Sequence, residues 1–239
     1  MMMMMIMMMM MMITMMMMMM MTNLSFRLNF LISGPGPLGF HLTNVLLHGL
    51  VSLLLMRLAT SLPGLTNSAS LVTGLAWAVM PVHTEAVTGV VGRADILASL
   101  LSLLTILHHR SRGWSLITPL LAALAMLAKE QGVTVLAVCF ILDICDNQRT
   151  LEARRRSMMR LGLSSIILLS LRAALLGGSM PSFSRADNPA SHASCPLTRA
   201  LTFLHLPAVN LQLLLLPSTL SYDWSMSSIP LITSLKGGT

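Results

Sequence analysis

Long apolar runs separated by short polar connectors dominate the chain after residue 38. The runs cover 39–60, 71–91, 95–109, 114–128, 130–145, 161–178 and 200–217. A helix crosses a bilayer with about 20 apolar residues, or fewer where its ends snorkel or the bilayer thins. The pattern therefore predicts an all-α, multi-pass transmembrane helical bundle. The runs 114–128 and 130–145 are short, and fit a helical hairpin that does not cross fully. Ahead of the first run, Gly34, Pro35, Gly36 and Pro37 predict a loop over 23–38. Residues 1–21 are almost all Met, broken by Ile6, Ile13 and Thr14. They lack the basic start and the small-residue cleavage site of a signal peptide. The segment is apolar enough to span, yet it reads as a translated simple repeat. The stretch that natively precedes Asn23 is expected to be missing or replaced. Residues 23–232 form the predicted transmembrane domain and 233–239 a tail.

Composition sharpens this picture. Hydrophobic residues make up 55% of the chain, charged residues 10%, and mean hydropathy is +0.78. A soluble chain carries about a quarter charged residues, so these charges cannot coat a globular surface, and the lipid bilayer is the expected solvent. The net charge of +7 would suggest nucleic acid in a soluble protein. Here the basic residues sit in connectors between apolar runs and only 4% of residues are aromatic, which fits membrane topology and argues against a nucleic-acid partner. Cys139, Cys145 and Cys195 have no metal-ligand or C-x-x-C spacing, so no metal site is expected and they read as small buried apolar residues.

Charge also orients the stack. If each run is a crossing, the connectors bearing Arg57, Arg110, Arg112, Arg149, Arg154, Arg155, Arg156 and Arg160 share one side. The positive-inside rule makes that side cytoplasmic. The opposite, lumenal side then gathers 81–95, the Lys129-Glu130 turn and 179–199. Those segments carry His83, Glu85, Arg93, Asp95, Lys129, Glu130, Arg185, Asp187, His192 and Arg199. A charged group at mid-bilayer costs about 2.5–3.5 kcal/mol on insertion scales, so acids and bases gathered at one end of an apolar bundle imply a polar site there.

The segment PVHTEAVTGVVGRAD, residues 81–95, is the centre of that site. On an irregular turn after Pro81, His83 and Glu85 can face one cavity, where a carboxylate acts as general base towards a hydroxyl; the plainer alternative is a hydrated surface loop. Asp95 fits the N-cap of the next helix. Arg93 either grips phosphate through its planar fork or snorkels to the headgroups. Lys129 and Glu130 lie just ahead of Gly132, which permits a tight turn between two apolar runs. Residues 182–200 read as a lumenal loop. Tyr222, Asp223 and Trp224 read as interfacial. No G-x-S-x-G, P-loop or H-E-x-x-H motif is present.

Four segments carry a family resemblance: RLNFLISGPGPLGFHLTNVLLHGLVS, AVMPVHTEAVTGVVGRADILASLLSLL, AMLAKEQGVTVLAVCFILD and LLLPSTLSYDWSMSSIPLI. They resemble the membrane half of the TMTC family, the transmembrane and tetratricopeptide-repeat-containing protein O-mannosyltransferases that target cadherins. The resemblance implies a GT-C type fold in the endoplasmic reticulum membrane and transfer of mannose from dolichyl-phosphate mannose to Ser or Thr of lumenal, cadherin-like acceptor proteins. It implies a lipid-linked donor and no separate cofactor. In that frame Glu85, Asp95 and His83 are the expected catalytic groups. Arg93, Lys129, Arg185 and Arg199 are the expected donor-phosphate ligands, supported by Glu130 and Asp187. Two departures stand out. GT-C enzymes keep a key acid in the first lumenal loop, whereas no acid precedes Glu85 here, and no tetratricopeptide repeat of about 34 residues is present. The chain is thus expected to be a truncated part of a longer enzyme, with a non-catalytic membrane scaffold or binding module as the alternative.

Overall fold

The computed structural model describes residues 19–146, 149–175, 184–221, 224, 226 and 228–234. The described residues form helices and turns, with no strand among them. The chain divides into two compact units, residues 1–178 and 179–239. Most of the expected low-complexity segment, together with Tyr222 and Asp223, lies outside the described residues.

The first unit contains α1 (Met20–Ser33), α2 (Pro37–Thr60), α3 (Asn67–Val79), the short α4 (Thr84–Thr88), α5 (Arg93–Arg112), α6 (Ile117–Ala128), α7 (Val135–Cys145) and α8 (Leu151–Leu175). Short 3-10 helices at Pro81–His83 and Glu130–Thr134 fill two of the connectors. By length and apolarity α2 and α8 can each cross a membrane, and Pro81–Thr88 with Arg93–Arg112, bent by 112°, has the length and apolarity of a broken span or a re-entrant loop.

Four expectations are corrected. The predicted loop over 23–38 is largely helix, because only the Gly34–Gly36 break interrupts the chain; Pro37 then opens α2 at a helix position that needs no N–H. The run 71–91 is not one helix: Met80 is extended ahead of Pro81, as residues before proline tend to be. The run 161–178 begins earlier, at Leu151, because the helix carries its arginines past the apolar stretch without ending. Cys145 and Cys195 are exposed, and only Cys139 is buried.

What is buried explains why the fold suits lipid. Inside the first unit a buried apolar cluster of Met126, Val135, Leu136, Leu161 and Leu168 lies at α6, α7 and α8, while the α2, α3, α5 and α6 contacts bury many small or hydroxylated side chains, among them Ser52, Ser70, Ala94, Thr105 and Ala122. Leu42, Leu46 and Leu53 of α2, and Leu163, Ile166 and Ile167 of α8, are exposed instead. In lipid, branched apolar side chains cost nothing outside, and close backbone approach supplies the attraction. Gly74 of α3 illustrates it: its Cα faces Met56 and the Ser52 carbonyl of α2.

Side-chain bonds identify the two ends of the bundle. At one end, Arg110 donates to the Ser61 carbonyl at 2.6 Å, joining the close of α5 to the close of α2. There also Asp143, 2% exposed, accepts from His109 Nε2 at 3.0 Å, from Ser157 Oγ at 2.5 Å and from Arg149 at 3.4 Å. This acid links α5, α7 and α8. Arg149 also reaches Asp146 at 3.0 Å. The arginine-rich segments predicted to share a side therefore do meet.

The second unit is built on α9 (Pro196–Leu215), with Pro207 inside the helix. Its preceding turns are held by Ser184 and Asp187 and by the Asn188 side chain, which accepts from Ser191 N–H at 3.1 Å. The later segment returns to α9, where Ile232 N–H donates to Thr202 Oγ1 at 3.0 Å.

Candidate functional site

The opposite end of the first unit gathers the turns that the sequence singled out. Its anchor is Arg93, which is 0% exposed. Arg93 Nε donates to Asn44 Oδ1 at 2.7 Å; its Nη2 donates to Asn29 Oδ1 at 2.7 Å and to the Phe40 carbonyl at 2.9 Å. Nη1 reaches the Ser25 carbonyl at 3.4 Å. The rings of Phe26 and Phe40 lie 4.7 and 5.6 Å from the guanidinium carbon, within cation–π range. Asn44 in turn donates to the carbonyls of Gly89 at 3.1 Å and Val87 at 3.3 Å. One guanidinium thus ties α1 and α2 to the start of α5, and Asn44 passes that order to the 84–92 turn.

Helix α1 lies across this end. Its first turn meets the close of α6, where Thr22 donates to the Ala128 carbonyl at 3.1 Å. Its middle meets Arg93 through Ser25 and Asn29. Its last turn holds the Asn29–Ser33 bond at 2.7 Å, beside Gly39 at the start of α2.

The turn chemistry is mixed in sign. Lys129 forms an ion pair with Asp95, the two side chains being 37% and 49% exposed. Glu130 pairs with Arg172 in the last turn of α8 at 2.6 Å. His83 Nδ1 bonds the Trp77 carbonyl at 2.9 Å, and its ring lies 4.3 Å from that of Trp77 and 5.3 Å from His48. Glu85 is exposed at the start of α4, and its carboxylate has no hydrogen bond or ion pair among the described residues. It is therefore a carboxylate open to an incoming group.

Backbone contact fixes both turns. A Cβ on Gly92 would sit 2.8 Å from the Ala86 carbonyl carbon, and one on Gly132 would sit 2.7 Å from the Met126 nitrogen. Neither neighbour is a side chain that can rotate away. Gly92→Ala and Gly132→Ala are each expected to destabilise the first unit by about 1–3 kcal/mol, the range for forced overpacking. Thermal unfolding in detergent checks this, and an unshifted midpoint for Gly92→Ala would show that the turn is not held as described.

Two sequence expectations change here. Arg93 neither snorkels nor presents its fork to a ligand: it is enclosed by α1 and α2, and all three of its side-chain nitrogens donate within the chain. Gly92, not Asp95, occupies the N-cap position, and Asp95 lies in the first turn paired with Lys129. Arg185, Asp187 and Arg199 belong to the second unit and are exposed there. Side-chain and then backbone hydrogen bonds from Ser184 hold the Asp187 carboxyl below its usual range. Sequence reasoning missed Arg172, Asn29 and Asn44. Each is a polar residue embedded in or beside an apolar run, which is the signal that could have found them.

A helical membrane bundle whose one end carries paired and unpaired acids beside cations defines a class: membrane proteins with a polar site at the bilayer surface. Comparison with known proteins narrows it. A family model described as Protein O-mannosyl-transferase TMTC, DUF1736, matches residues 177–237. The chain is 44% identical to Protein O-mannosyl-transferase TMTC2 of Mus musculus over 236 residues, covering 89% of this chain and 28% of that protein. It is 40% identical to Protein O-mannosyl-transferase Tmtc1 of Drosophila melanogaster, over 89% of this chain and 27% of that one. With Protein O-mannosyl-transferase TMTC3 of Homo sapiens it shares 38% identity, over 90% of this chain and 26% of the relative. The chain is thus similar to members of the TMTC family over 89–90% of its own length. It spans just over a quarter of the length of these relatives. No solved structure matches it.

Proposed function

We propose that this chain forms part of the membrane domain of a protein O-mannosyltransferase of the endoplasmic reticulum, with a GT-C type fold. In this reading it moves mannose from dolichyl-phosphate mannose to Ser or Thr of a lumenal, cadherin-like protein, and the end bearing the 81–95 and Lys129-Glu130 turns faces the lumen. The observation that supports it is the open carboxylate of Glu85 on the same end as the Asp95–Lys129 pair.

The chemistry is a substitution at the anomeric carbon. The acceptor oxygen bonds to mannose C1 as the bond from C1 to the donor phosphate breaks. Glu85 takes the hydroxyl proton, and dolichyl phosphate leaves with the electron pair. Lys129, drawn from Asp95 by the arriving phosphate, stabilises the charge that develops on the leaving group. His83, held against Trp77, shapes the turn. Arg93 positions the turn from below and does not touch the donor.

General acid–base groups contribute roughly 100- to 10,000-fold. Glu85→Gln in a full-length family member is expected to lower mannose transfer to a cadherin domain by at least about 100-fold, with membrane insertion unchanged. The measurement is glycopeptide mass spectrometry in cells lacking the family. Transfer at the wild-type rate would remove Glu85 from the reaction and favour the scaffold reading for this unit.

A further inference from the structure

The bundle end opposite the turns carries a cavity that the transferase reading does not use. It opens between α2, α5 and α6 and measures about 710 Å³, inside the range of about 300–1,000 Å³ that small-ligand sites occupy. Its lining divides by chemistry. Leu54, Leu104 and Leu107 supply apolar wall, while Arg57, Arg110 and His108 supply basic groups, and no acid lines it. Arg57 stands in the last turn of α2 and Arg110 in the last turn of α5, so both mark where these helices leave the apolar zone.

The two arginines differ in a telling way. Arg110 is fixed by bonds from Nε to Ser61 Oγ at 3.2 Å and from Nη2 to the Ser61 carbonyl at 2.6 Å. The Arg57 guanidinium has no hydrogen bond or ion pair among the described residues. At this same end Arg149 and Asp143 satisfy one another, so the end does not lack acids; they are placed away from this cavity. A positioned arginine beside an unpartnered one, at the mouth of a leucine-walled cleft, complements an anion that carries a hydrocarbon chain. Basic pockets between membrane helices are suited to anionic lipid headgroups.

We propose that this cavity binds an anionic glycerophospholipid of the adjoining leaflet. The headgroup phosphate meets Arg57 and Arg110, with His108 beside it, and one acyl chain runs along Leu54, Leu104 and Leu107. The site is separate from the turn-bearing end and stands whether or not this chain takes part in mannose transfer.

The experiment uses the whole chain, purified in mild detergent and returned to nanodiscs of phosphatidylcholine containing a minority of phosphatidic acid or phosphatidylserine. Native mass spectrometry reads the retained lipid. The expected result is enrichment of the anionic lipid over phosphatidylcholine. Arg57→Gln, which breaks no internal side-chain bond, is expected to reduce that enrichment about fivefold, the effect of removing one cation near a lipid surface. Leu107→Trp keeps every charge and fills the cleft, and is expected to reduce it as well. Equal retention of both lipid classes, or unchanged enrichment in Arg57→Gln, overturns the proposal. If inorganic phosphate displaces the lipid fully, or if Leu107→Trp retains it, the site binds an anion and not a lipid, and the proposal also fails.

Discussion

Arg93→Lys is expected to leave the first unit unfolded or unable to hold α1, although the charge is retained. A lysine offers one donor group on a flexible stem, whereas the guanidinium serves Asn44, Asn29 and the Phe40 and Ser25 carbonyls from a rigid plane. Each acceptor stranded in a buried setting costs about 1–3 kcal/mol, and at least two of these acceptors would be left without their donor. Arg93→Gln adds the loss of the cation held between Phe26 and Phe40. Detergent thermal unfolding and limited proteolysis of α1 read the outcome directly. If Arg93→Lys folds with wild-type stability and still holds α1, the hub described above is wrong.

The second large effect is expected at the other end. Asp143→Ala removes the acceptor shared by His109, Arg149 and Ser157. Breaking a buried ionic contact by deleting one partner costs about 3–5 kcal/mol, because the remaining groups stay buried without compensation. Arg149 retains Asp146, but His109 is 1% exposed and has no route to solvent. Asp143→Asn keeps an acceptor for His109 and a polar partner for Ser157, so it should recover part of the loss. Equal stabilities for the alanine, asparagine and wild-type forms would show that the α5–α7–α8 junction is held by apolar contact alone.

The sequence revealed some of this fold and hid the rest for identifiable reasons. Apolar run lengths located α2 and α9, and Gly-Pro punctuation marked the break before α2. Charge placement separated the two ends of the bundle, and described bonds such as Arg110–Ser61 and Glu130–Arg172 join the expected segments. Helix α1 was not legible because its polar residues look like loop composition until Asn29 is seen to face Arg93. The start of α8 was hidden because helices continue through the bilayer surface, so the apolar boundary and the helix boundary differ by the length of its arginine-bearing turns. The burial of Arg93 could not be read at all, since its partners lie 49, 53, 64 and 68 residues away. Glu85 and Lys129 were legible because ionisable residues flanking apolar runs are few, whereas Arg172 was passed over as one charge within a long run.

Gly92 and Gly132 press main chain against main chain, so the outline of the turns at the Arg93 end is written in the backbone and not in the residues that decorate them. Exchange of Glu85, Lys129 or Asp95 then changes what the surface can bind while its contour stays put; the Asp95–Lys129 pair, half in solvent, adds at most about 1 kcal/mol. Such a scaffold lets selection retune chemistry one side chain at a time, without reopening the problem of how the chain folds.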